Sequence, residues 1–136
     1  MTDLGRAMKI SASGMQAQGT RLRVVSENIA NANSTAPNPG AAPYRRQTVF
    51  FDQILNRELG VEVVHVRKIG QDPRPFQLRY EPAHPAANAD GYVLYPNVNT
   101  MVEMSDMREA QRSYEANLNT LNTSREMLQR TLDIIR

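Results

Sequence analysis

The residues able to do chemistry are few in this 136-residue chain, and they are scattered. There are two histidines, His65 and His84, and neither has a His-x-x-x-His or Glu-x-x-His neighbour that would set metal ligands on one face. Ser11, Ser13 and Ser26 have no histidine near them in sequence, and no G-x-S-x-G elbow occurs to activate a serine. Cysteine is absent, which removes disulfides, thiol catalysis and thiolate-bound metal together. No G-x-x-x-x-G-K loop is present to cradle a phosphate. Asp90 precedes Gly91 and reads as turn chemistry, and the other acids are spread over helical outer faces. The chain therefore reads as a non-enzyme with no cofactor, no metal and no small-molecule substrate.

Charge and hydropathy exclude further classes. A net charge of +2 with two lysines gives no basic stripe, so nucleic acid is not an expected partner. No apolar run approaches the roughly 18 residues that a membrane-spanning helix needs. The opening MTDLGRAMKISASG lacks the apolar stretch of a secretory signal, which leaves a cytosolic chain or one exported without a cleaved peptide.

The elements that would have to position any site are helical at both ends. Leu4, Met8, Ser11, Met15, Gln18, Leu22, Val25 and Ile29 step by fours and threes, a heptad seam over residues 1–32 with two polar positions. Ala7, Ala12, Gly14, Ala17 and Gly19 crowd beside it and would let another helix approach closely. Residues 33–43, with Pro37, Pro39 and Pro43, form a loop or linker. Residues 44–99 read as a small β-rich region, with strands expected at 48–51, 61–69, 76–80 and 92–95. A second helix fills 100–136, opened by a capping box of Thr100 and Glu103. Its seam is Met104, Met107, Gln111, Tyr114, Leu118, Leu121, Arg125, Leu128, Leu132 and Ile135. The fold class is α+β: long terminal helices in a coiled-coil-like pair with a small β-rich middle.

Helices of about 45 and 50 Å are more than a fifty-residue β region can cover, so apolar helix surface is left for other copies or other chains. Two competitors are an ordinary α+β monomer with its helices folded on the sheet, and a small adaptor that lays one amphipathic helix in a partner's groove.

Ser13-Gly14-Met15-x-Ala17, Leu22 and Ser26-Glu27-Asn28-Ile29-Ala30-Asn31-Ala32-Asn33, followed by Tyr44-Arg45-Arg46, resemble the N-terminal signature of the flagellar rod and hook family. Ser113-Tyr114-Glu115-Ala116-Asn117 is similar to that family's C-terminal helix motif, so both ends match in the correct order. The short length, the loop between Asn33 and Tyr44, and the stretches Glu81-Pro82-x-His84-Pro85 and Gly91-Tyr92-Val93-x-Tyr95-Pro96-Asn97-Val98 resemble the short proximal-rod members.

The resemblance implies a structural rod subunit of the bacterial flagellar basal body, assembling helically and helping to transmit torque. It implies terminal helices that are poorly ordered in the free subunit, and export unfolded through a type III channel into the periplasmic space. Implied partners are the chain itself, other rod proteins, the MS-ring/rod junction protein and the type III export apparatus. Periodicity and resemblance together give an assembly seam of Met8, Met15, Leu22, Val25, Asn28, Ile29 and Asn31 on the first helix. On the second helix the seam is Met104, Met107, Tyr114, Asn117, Leu118, Leu121, Leu128, Leu132 and Ile135.

Overall fold

The structure is a computed structural model that describes residues 3–136. Six elements follow in order: α1 (Asp3–Ala30), β1 (Gln47–Asn56), β2 (Val61–Gln71), β3 (Gln77–Tyr80), β4 (Tyr92–Tyr95) and α2 (Thr100–Ile135). The class is α+β, as the patterning implies. The four strands form two separate two-stranded sheets, β1 with β2 and β3 with β4. Segments from different parts of the sequence gather into two compact units.

One unit comprises residues 3–22, 49–68 and 108–136. Here α1 and α2 run antiparallel, since Gly14 lies against Asn117 while Arg21 pairs with Glu109 at 3.4 Å. The buried residues are mostly small: Ser11, Ala17, Ala110 and Ser124, with Leu59 from the β1–β2 turn. A Cβ on Gly14 would stand 2.8 Å from the Asn117 amide nitrogen, so glycine here serves the close approach of the helices. The β1–β2 connection is only four residues, which permits antiparallel pairing alone. Asn56 closes it, its carbonyl accepting from the Leu59 and Gly60 amides and its side chain from those of Glu58 and Leu59.

The other unit comprises Arg23–Thr48 and Ile69–Met107. Val24, Val25, Ala36, Val93, Tyr95 and Val98 form its apolar core. Helix α1 ends where the Asn31 side chain donates to the Glu27 carbonyl, and Ser34 then donates to Asn31 Oδ1. The loop that follows is pinned at both ends. Tyr44 N–H donates to the Ser34 carbonyl, and Thr35 Oγ1 meets His84 Nε2 at 3.2 Å. Because His84 Nδ1 accepts from the Ala86 amide, the proton sits on Nε2 and Thr35 is its acceptor. This histidine fastens a loop.

β3 and β4 pair antiparallel with Leu78 opposite Leu94 and Tyr80 opposite Tyr92. Val93 and Tyr95 point inward, while Leu78, Tyr80, Tyr92 and Leu94 form an outward row. The expected capping box does not form. Asn99 is the N-cap, its Oδ1 accepting from the Met101 and Val102 amides, and Glu103 is turned into the interior instead.

Gly91 has φ of +86°, and a Cβ there would lie 2.8 Å from Tyr80 and 3.4 Å from Pro82. Gly91→Ala should therefore lower unfolding stability by about 1–3 kcal/mol, read as a lower urea midpoint. An unchanged midpoint would show that this turn relaxes freely.

Candidate assembly surface

The most constrained group in the second unit is the Glu103 carboxylate, whose side chain has no solvent exposure. It accepts from Arg46 Nε and, at 3.2 Å, from Asn28 Nδ2. Asn28 is itself saturated: its amide also donates to the Gln47 carbonyl, and its Oδ1 accepts from Tyr44 Oη at 2.7 Å and the Gln47 amide at 2.9 Å. Arg46 reaches Asp72 at 3.2 Å and Asp106 at 3.7 Å. Its backbone N–H donates to Asn97 Oδ1, and Asn97 Nδ2 in turn bonds the carbonyls of Asp72 and Arg74. A buried carboxylate is tolerable only with this kind of complete satisfaction.

The electrostatics follow from these contacts. Hydrogen bonds from Arg74, reinforced by Arg46, hold the Asp72 carboxyl far below the usual aspartate range against the opposing effect of burial. Burial works against the Arg46 charge, but its bonds to Glu103 and Asp72 outweigh that and raise its pKa. Burial, then the nearby charges of Glu27 and Glu103, push the Tyr44 hydroxyl up.

Helix periodicity locates the seam but not its rotation. Along α2, Met107, Tyr114, Leu121 and Leu128 are half-buried. The flank covered beside them is Glu103, Ala110 and Ser124, which are buried, with Asn117 half-buried, whereas Met104, Gln111, Leu118 and Arg125 are exposed. Met104, Leu118, Leu132 and Ile135 are exposed at 47, 36, 52 and 76%. On α1, Val25 and Asn28 are buried, while Met8, Met15, Leu22, Ile29 and Asn31 are half-buried. Val25 and Asn28 thus face their own chain, and the exposed row on α2 is what an isolated subunit leaves open.

Sequence reasoning missed Arg46, Asp72 and Asn97 as a connected set. Arg46 and Asn97 did lie inside the motifs that carry the family resemblance, but spacing could not show that they meet. Among the described residues no group of three or more His, Asp or Glu could hold a metal, and no helix is long and apolar enough to cross a membrane.

A carboxylate whose pKa is depressed on folding stabilises the fold above its unfolded value and loses that contribution as pH falls. Stability should thus decline as pH drops below the ordinary aspartate value of 3.8 toward the lower folded value. Asp72→Asn should be less stable at neutral pH and should lose this part of the acid slope. Superimposable pH–stability curves for the two proteins would rule the assignment out.

Two family models match the chain. One described as flagella basal body rod protein covers residues 8–36, and one described as flagellar basal body rod FlgEFG protein C-terminal covers residues 89–134. The flagellar basal-body rod protein FlgC of Agrobacterium fabrum is 51% identical over 136 residues, covering 100% of this chain and 98% of its own. Its counterpart in Aquifex aeolicus is 41% identical over 134 residues, covering 98% of each chain. That of Bacillus subtilis is 39% identical over 143 residues, covering 94% of this chain and 95% of its own. Likeness at this level over the full length, with both helix motifs in order, places the chain in the FlgC family of flagellar basal-body rod proteins, which are structural subunits of that rod.

Proposed function

We propose that the chain is a non-enzymatic subunit of the proximal rod, assembling helically through its terminal helices and helping to carry torque. In this reading residues 1–32 and 100–136 are the assembling segments, and 33–43 is a linker. Residues 44–99 are a β-rich region making lateral contacts. The subunit sits in the periplasmic part of the basal body, reached through the type III export apparatus without a cleaved signal peptide. Its neighbours are copies of itself, other rod proteins and the MS-ring/rod junction protein.

The observation that carries this reading is the outward row Met101, Met104, Leu118, Leu132 and Ile135 on α2. A row of that length on one helix, apolar except at Gln111 and Arg125, fits cover by neighbouring helices, and head-to-tail contacts of this kind extend rather than close. Many such interfaces in parallel would be stiff, because packed helix cores resist deformation. Absence of cysteine and scarcity of aromatics, at 6% of residues, suit a chain that must pass unfolded through a narrow channel.

Deleting the gene and complementing with the full chain, or with one lacking residues 100–136, tests the assignment by electron microscopy of basal bodies. Rods should return only with the full chain. A sharper form uses Leu118→Asp and Leu132→Asp, which place a charge on the exposed row and leave the buried flank untouched. Each should abolish or severely reduce rods and swimming while the helix content of the purified chain stays the same. Normal motility in both strains, or a folded monomer that binds one partner stoichiometrically and never polymerises, would reject the assembly reading.

A further inference from the structure

Hydrophobicity alone would turn α2 differently. Beside the shared row Met107, Tyr114, Leu121 and Leu128 it offers two flanks, one residue and about 100° apart around the helix. One flank is Glu103, Ala110, Asn117 and Ser124, and the other is Met104, Gln111, Leu118, Arg125 and Leu132. The second would remove more apolar surface from water, yet the first is buried, with Glu103 and Ala110 at 0% exposure and Ser124 at 6%.

We propose that the Arg46–Glu103 pair selects which flank of α2 the chain buries, and so which apolar row it presents for assembly. The inference rests on the reading of the outward row as the assembly surface. Arg46 is fixed independently of α2: Asn97 takes its backbone N–H, its carbonyl accepts from the Asp72 amide, and its guanidinium pairs with Asp72. A one-residue turn of α2 would bring Met104 to that guanidinium and strip Asn28 of one acceptor. The correct face instead supplies Glu103 to both, and Asp106, three residues on, also faces Arg46. Small residues then make the chosen flank the closer-fitting one, since Gly14 of α1 meets Asn117 with no space for a Cβ. A buried ion pair of this kind contributes choice of register more than net stability.

The absence of native cysteine permits a direct test. Two sets, Gly14→Cys/Asn117→Cys and Gly14→Cys/Asn117→Ala/Leu118→Cys, each with a shortened side chain at 117 to leave space for the new Cβ at 14, are oxidised in the full-length protein and scored by gel mobility of the intrachain disulfide. Trapping reads the facing flank whether the helices are paired all or part of the time. With Arg46 and Glu103 in place the first pair should close about tenfold faster, because disulfide geometry tolerates little displacement.

In an Arg46→Met/Glu103→Met background the preference should fall to about twofold or less, with circular dichroism unchanged and rods lost. Asp72 keeps Arg74 in that background, and Asn28 keeps Gln47 and Tyr44 while one of its amide hydrogens loses its acceptor, so no charged group is stranded there. A preference that survives the double substitution, or is missing before it, overturns the proposal. So does loss of secondary structure, which would make the pair a requirement of folding rather than a selector. A collapsed preference with rods still formed overturns the link to assembly. Leu118→Asp then shows separately whether the outward row is the assembly face.

Discussion

A charged carboxylate cannot be left in a protein interior without partners, and Glu103 is fully buried. That single constraint draws four separated segments together. The last turns of α1 supply Asn28, the chain entering β1 supplies Tyr44 and Arg46, the turn after β2 supplies Asp72, and the residues before α2 supply Asn97. All of these contacts lie within one chain. They are the means by which a chain with few large buried side chains acquires a unique arrangement in this unit.

The apolar interior is correspondingly thin. Serine, alanine and glycine line the approach of α1 to α2, and few large aliphatic residues are fully buried. Small residues let helices come close and gain dispersion contacts, but each buries little area. Much apolar surface remains outside, on α2, on the β1–β2 hairpin and on the outward face of β3–β4. A subunit built this way gains most from contacts it makes with neighbours, which suits a family whose members are parts of a rod.

Most of the architecture was legible in residue order. The two heptad rows give two long helices, and the valine- and aromatic-rich runs lie within β1, β2 and β4, with β1 extending further than expected, to Asn56. The proline-rich stretch is a loop. What was not legible is the phase of α2: a heptad pattern counted by hydrophobicity selects Met104 and Leu118, which the structure leaves exposed while it buries Glu103, Ala110 and Ser124. The same side chain misled the reading of the helix start. Glu103 stands where a capping-box glutamate would, and only the position of Arg46 reveals why Asn99 caps the helix while Glu103 turns inward.

By itself the sequence determined the elements, the class, the absence of recognisable catalytic or metal motifs and the family, because periodicity and local motifs are properties of consecutive residues. The tertiary structure decided which face of each helix is covered. It also decided that Asn28 and Asn31 bond within their own chain, and that Arg46, Asp72, Asn97 and Glu103 form one network. Those outcomes depend on pairing a buried charge with a partner 57 residues away, and no local pattern encodes that distance in space.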